Sequence, residues 1–188
     1  MDKHEFHAIL YESLETELGG VLIYEAALRC AINEDLIGEW GRYLSQTRNH
    51  VRILTRTLIS LGLDPEHETP GRNIARMTGR YLIKTIETAS FGGRAVAAQI
   101  VAAECVVLCE TKDRMNWQLI SAASQFLEGN ERSALKAAVA EVEAEENEHL
   151  LHCSNWAREL RMASLGLATH FPPAEETEEA ASRDEHTA

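Results

Sequence analysis

A helical stripe in the last third of the chain contains two residues that a helix core should not accept. Apolar residues recur there at alternating steps of four and three, which is the period of one helix face. The stripe consists of Leu135, Val139, Val142, Glu146, His149, Cys153, Trp156 and Leu160. A buried carboxylate and imidazole are costly unless a partner satisfies them. Because a Glu and a His three residues apart project side by side, Glu146 and His149 predict a pair of metal ligands.

Three further stripes with the same spacing predict three more long helices. They cover residues 10–31, 36–61 and 96–121, and strand signals are lacking. The composition agrees, because the chain has only 4 prolines and is rich in Ala, Leu and Glu. Asn33 is suited to cap the start of the second helix, and Gly62 to end it. The third helix is expected to begin near Arg94, and the fourth to cover about residues 130–165.

The long connection over residues 62–93 predicts a shorter helix of its own. Its apolar residues indicate a helix over about residues 73–88, between turn signals at both ends. Two tight hairpins joined by one long connection predict an all-α fold, a four-helix bundle whose crossover contains a shorter fifth helix. Residues 1–170 are expected to form this single domain, and residues 171–188 a disordered acidic tail.

Charge and composition exclude several classes of function. The net charge is −12, of which −5 lies in the tail, so the body carries about −7. An acidic body argues against nucleic-acid binding and favours attraction of metal cations. There is no run of 18 apolar residues and no signal-peptide pattern, which predicts a cytoplasmic protein that does not cross a membrane. The four cysteines form no CxxC pair and are expected to be buried free thiols.

Folding the hairpins brings the polar residues of four stripes to one level. Glu17 and His50 lie about equally far from the turn at Asn33, and Glu110 lies level with Glu146 and His149 across the second turn. Glu104 is the rival ligand on the third helix, because it interrupts the most apolar stretch of the chain. Its distance from the turn places it more than about 10 Å from Glu146 along the helix axis. Glu110 is therefore preferred, and Glu104 is kept as an alternative ligand or supporting residue.

An internal repeat relates the two hairpins. Thr47 and His50 occupy the second stripe as Glu146 and His149 occupy the fourth, at a constant offset of 99 residues. Each half of the repeat is one hairpin. A chance match of alternating stripes is the competing interpretation.

These residues resemble the ferritin-like superfamily, in particular its bacterioferritin and rubrerythrin branch. Glu17 with Tyr24 seven residues later, Glu110 with Trp117 seven residues later, and the Glu146-x-x-His149 motif carry the resemblance. It implies a di-iron carboxylate site that acts on oxygen or peroxide. In that site Glu17 and Glu110 each hold one metal, Glu146 bridges, His50 and His149 are terminal ligands, and Tyr24 is a supporting or redox-active neighbour. The mixed oxygen and nitrogen ligands favour iron or manganese, with zinc possible.

One residue departs from the family pattern. The second helix normally carries Glu-x-x-His, whereas this chain has Thr47 three residues before His50. The site is therefore an asymmetric metal pair, a single-metal site or a relic. Because no rubredoxin-like CxxC pair is present, a complete rubrerythrin is not expected. The helical insert over residues 62–93 and the disordered tail argue against a ferritin cage, so a homodimer formed through helix faces is expected. A metal store without turnover, a hydroxylase of a larger substrate and a metal-free helical scaffold are the alternatives.

Overall fold

The computed structural model describes residues 1–173, which form five α-helices and no strand. The helices are α1 (Lys3–Leu28), α2 (Glu34–Ser60), α3 (Pro70–Phe91), α4 (Ala95–Ser124) and α5 (Gly129–Ser164). The all-α prediction is confirmed. The crossover helix is longer than the predicted residues 73–88. Most of the predicted tail, residues 174–188, lies outside the described residues.

Local capping signals set the helix ends. The side chain of Asn33 accepts a hydrogen bond from the backbone N–H of Leu36 and begins α2, as predicted. Thr69 caps α3 in the same way, with Pro70 in the first turn, which explains why α3 begins earlier than the apolar pattern alone indicated. After α2, Gly62 has φ +72°, the left-handed conformation that glycine adopts without steric cost.

Four helices surround a common axis, and the fifth lies outside them. α1 packs against α2 and α4, and α5 packs against the same two helices, so the order around the axis is α1, α2, α5, α4. The short connections make α1–α2 and α4–α5 antiparallel hairpins. α3 covers the outer groove between α1 and α4.

Charged and small residues hold α3 on α1. The buried Glu15 carboxylate accepts hydrogen bonds from Arg72 and Arg76, each at 2.7 Å. Burial raises the pKa of Glu15, but the two guanidinium groups outweigh it and lower that pKa overall. Further along, a Cβ atom added at Gly79 would lie 3.5 Å from the Cα atom of Gly19, so the two backbones approach closely.

The hydrophobic core is divided into two clusters along the axis. One contains Ile23, Trp40 and Trp156, and the other contains Leu10, Leu54 and further residues near the opposite end. Between them lies a layer of buried polar residues. This layer consists of Glu17, Thr47, His50, Glu110, Asp113, Glu146 and His149.

Two further expectations concern the whole described chain. The four cysteines are buried and free, as predicted. Among the described residues, no helix combines the length and the apolar character that crossing a membrane requires. At the end of the described chain, Phe171 stacks on Trp156 with ring centroids 5.5 Å apart, although the predicted tail begins at residue 171.

Candidate metal centre

The structure brings the five preferred ligands together in the polar layer. Glu17 comes from α1, His50 from α2, Glu110 from α4, and Glu146 and His149 from α5. Each is at most 2% exposed. Their positions follow from the two hairpin turns, because residues equally far from a turn come level in antiparallel helices.

The five side chains form two triads that share Glu146. In one, His50 Nδ1 lies 3.4 Å from Glu17 Oε1 and 3.0 Å from Glu146 Oε1. In the other, His149 Nδ1 lies 3.5 Å from Glu110 Oε2 and 3.7 Å from Glu146 Oε1. Within each triad, one ligand atom from each residue lies within 4.8 Å of the others. A carboxylate common to two such groups is placed to bridge two cations.

Each of the five side chains presents a buried polar atom that lacks a hydrogen-bond partner among the described residues. The atoms are Glu17 Oε2, His50 Nδ1, Glu110 Oε2, Glu146 Oε2 and His149 Nδ1. An unpaired buried polar atom costs about 1–3 kcal/mol. Five of them in one layer indicate a missing common partner, and oxygen and imidazole nitrogen atoms are the ligands that iron and manganese accept.

Comparison of the chain with known protein families, with curated proteins and with solved structures finds no match. Function is therefore inferred from the chain's own chemistry and geometry.

Two residues that the sequence analysis left aside orient the imidazoles. His50 Nε2 lies 2.7 Å from Glu145 Oε2, and His149 Nε2 lies 3.0 Å from Gln46 Oε1. A carboxylate and an amide oxygen only accept hydrogen bonds, so each Nε2 carries the proton and donates it. Nδ1 of both rings is then directed at the carboxylates. Such outer contacts fix the ring and tautomer of metal-binding histidines.

The charges in the layer strongly influence one another. Burial alone lowers the pKa of His50, but the carboxylates of Glu146 and Glu17 outweigh it and raise that pKa to about 11. Burial raises the pKa of Glu146 to about 7, with contributions from the charges of Glu17 and Glu110 against the lowering effect of His50. Without a metal, protons therefore compensate the carboxylates. A bound cation must displace them.

Each hairpin supplies an aromatic residue to the other hairpin's glutamate. Trp117 Nε1 donates a hydrogen bond to Glu17 Oε1 at 2.7 Å. The hydroxyl of Tyr24 lies 3.6 Å from Cys153 Sγ. Burial, then the charges of Cys153 and Glu110, raise the pKa of Tyr24 well above its usual value, so this phenol stays protonated beside the Glu110 carboxylate. Its role as a redox-active neighbour stays a prediction.

Two residues weighed from the sequence lie outside the ligand set. Glu104, the alternative ligand, is about half exposed on α4, and its Oε1 accepts a hydrogen bond from Arg161 Nε at 3.1 Å. This is a correction: Ala103 and Cys105 on either side of it are buried, whereas Glu104 itself faces outward. Thr47 is buried in the layer, and its hydroxyl donates to the backbone carbonyl of Tyr43 at 2.9 Å.

One acidic residue of the layer escaped sequence reasoning. Asp113 is 2% exposed and lies three residues after Glu110. Its surroundings in the sequence, Thr111-Lys112-Asp113-Arg114, indicated a solvated face. The spacing of three from Glu110 was the signal that places both residues on one helix face.

Proposed function

We propose that this protein is a ferritin-like di-metal protein whose two ions share the carboxylate of Glu146. The observation that carries the proposal is the pair of triads that meet at Glu146, with unpaired ligand atoms in all five residues. Glu17 and His50 hold one ion, and Glu110 and His149 hold the other. The packing order of the two hairpins supports the ferritin-like assignment, since each helix around the axis contributes to the site.

Iron is the metal that this ligand set suits best, with manganese and zinc as competitors. The ligands are carboxylate oxygens and imidazole nitrogens, and no cysteine belongs to either triad. Carboxylates favour hard cations such as Mn²⁺ and Fe²⁺, while imidazoles favour iron and zinc.

The proposed activity is oxidation of ferrous iron, or oxidation of a second substrate, by oxygen or peroxide. Reduction of hydrogen peroxide to two water molecules takes two electrons and two protons, and a pair of ferrous ions held by these residues would supply the two electrons. The protein's own residues bury the layer and hold its carboxylates in place. Trp117 fixes Glu17 by its hydrogen bond, and Tyr43 packs its ring 4.2 Å from that of His149.

A metal-free scaffold is the second candidate function, and a specific observation favours it. Nδ1 of a protonated His50 lies 3.0 Å from one carboxylate and 3.4 Å from another, so the first triad neutralises part of its own charge. The second triad is less closely paired, because His149 Nδ1 lies 3.5 Å from Glu110 Oε2 and 3.7 Å from Glu146 Oε1. For this reason the metal-binding proposal is preferred.

The test is an anaerobic Fe(II) titration of chelator-treated protein, followed by exposure to air or to hydrogen peroxide. Two ions per chain and rapid oxidation are expected, together with a rise in melting temperature on loading. Two ions without oxidation would support a metal store. No bound Fe(II), Mn(II) or Zn(II), and no change in melting temperature, would overturn the proposal in favour of the scaffold.

A further inference from the structure

Asp113 is a buried acid that the proposed ligand set does not use. It is 2% exposed, and its Oδ1 atom has no hydrogen-bond partner among the described residues. An acid buried in this way needs a proton or a cation, because leaving the charge unpaired in the interior is far more costly.

The neighbours of Asp113 on α4 show which way this face points. Glu110, three residues earlier, belongs to one triad, and Trp117, four residues later, donates to Glu17 Oε1. Residues at these spacings share one helix face. Asn116, three residues after Asp113, donates from Nδ2 to Thr16 Oγ1 at 3.1 Å, which fixes α4 against α1 at the level of Glu17. Asp113 therefore faces the metal layer on the side of Glu17.

The charges around Asp113 are those of the proposed metal ligands. The carboxylates nearest to it are those of Glu17, Glu146 and Glu110. A cation in the layer reverses this repulsion, since it attracts all four carboxylates.

Helix α2 lacks the carboxylate that its repeat partner on α5 provides. Thr47 stands where the repeat has Glu146, and its hydroxyl already donates to the carbonyl of Tyr43. The Thr47 methyl group packs near Gly20: a Cβ atom added at Gly20 would lie 3.3 Å from Thr47 Cγ2. Helix α2 thus contributes one ligand, whereas α5 contributes two.

We propose that Asp113 supplies the fourth carboxylate of the metal centre, from α4, in place of the one that α2 lacks at Thr47. This inference rests on the proposed di-metal function. The carboxylate serves the ion held by Glu17 and His50, on whose side Asp113 lies. The centre then has four carboxylates and two imidazoles, with an unusual distribution over the helices.

The test compares wild type, Asp113→Asn, and the double variant Asp113→Asn with Thr47→Glu by anaerobic Fe(II) and Mn(II) calorimetric titration and elemental analysis. Asparagine keeps the shape of Asp113 and removes its charge. We expect Asp113→Asn to lose affinity for one of the two ions by at least about tenfold, and the double variant to recover it. The exposed Asp35→Asn serves as the matched control and should bind as wild type does.

The outcomes separate this inference from the proposed function. If wild type binds no metal, the proposed function fails and the inference fails with it. If wild type and Asp113→Asn bind two ions with equal affinity, the function stands and the role of Asp113 is overturned. Loss of an ion that Thr47→Glu does not restore would overturn the assignment of Asp113 to the place of the missing α2 carboxylate. Recovery in the double variant supports it, because a merely structural defect at Asp113 is not repaired from α2.

Discussion

Replacing Glu146 with glutamine should have opposite effects on stability and on metal binding. Folding raises the pKa of Glu146 from 4.5 to about 7. At about 1.4 kcal/mol for each tenfold change in acidity, the ionised carboxylate costs the metal-free protein about 3 kcal/mol. Glutamine removes this charge and its cost, but the buried amide that it leaves offsets about 1–2 kcal/mol of that stabilisation. The metal-free variant should therefore be more stable than wild type by about 1–2 kcal/mol, or about 2–8 °C in melting temperature.

The sign of this effect depends on pH. A raised folded-state pKa contributes stability that is fully present below pH 4.5 and is lost as the pH rises through about 7. The advantage of Glu146→Gln should therefore be absent near pH 4.5, grow between pH 4.5 and 7, and stay constant above that. Because Glu146 belongs to both triads, the variant should also lose at least about 100-fold in affinity for both ions.

The assay is thermal denaturation of chelator-treated protein from pH 4.5 to 8, paired with elemental analysis after loading with Fe(II) or Mn(II). Glu143→Gln is the matched control, since Glu143 lies exposed on the same helix. The reasoning is refuted if Glu146→Gln destabilises the metal-free protein at pH 8, as expected of a residue needed only for packing. It is equally refuted if the variant binds two ions with wild-type affinity.

Substitutions at three other positions test the support of the site and the docking of α3. Glu145→Gln should weaken metal affinity about 10–100-fold in a calorimetric titration, because it weakens the contact that orients His50. The melting temperature of the metal-free variant should stay within about 2 °C of wild type. Glu15→Gln should cost about 3 kcal/mol in urea denaturation at pH 7, since it breaks a buried pair with Arg72. Because the pKa of Glu15 is lowered, this stability is present above pH 4.5 and is lost as the pH falls, so wild type and variant should converge in acid; a constant difference down to pH 3 would contradict the assignment. Gly79→Ala should change stability by less than about 1 kcal/mol, whereas Gly79→Leu should cost about 1–3 kcal/mol by thermal denaturation, because only the larger side chain forces α3 away from α1; equal effects would show that the close approach is absent.

The helices and the level of the ligands could be predicted from the sequence for physical reasons. A stripe with alternating steps of four and three specifies one buried helix face, and a tight turn fixes which residues of two antiparallel helices come level. These two rules predict Glu17 beside His50 and Glu110 beside His149, where the structure has them.

Residues beside the stripes could not be predicted by the same rules. Gln46 and Glu145 each lie one position before a stripe residue, so their Cα atoms face partly outward while their long side chains reach back to an imidazole. Asp113 was hidden for another reason: its flanking residues are polar, and only the packing of α4 against α1 and α5 decides which of them is buried. The hydrophobic period indicates which face of a helix is buried. How far a side chain reaches and how a helix is rotated about its axis depend on tertiary packing.

The two halves of the proposed centre differ in the charge of the residues that support their imidazoles, which has a consequence for the order of metal binding. The offset of 99 residues that relates His50 to His149 also relates Gln46 to Glu145, and each imidazole contacts the other hairpin's member of that pair. His50 is therefore supported by a carboxylate, and His149 by a neutral amide. A carboxylate partner makes an imidazole a stronger ligand. The proposed Asp113 carboxylate lies on this same side, so the half containing Glu17 and His50 should fill first. A two-step binding isotherm is expected for wild type, and Glu145→Gln should bring the two steps closer together by weakening the first.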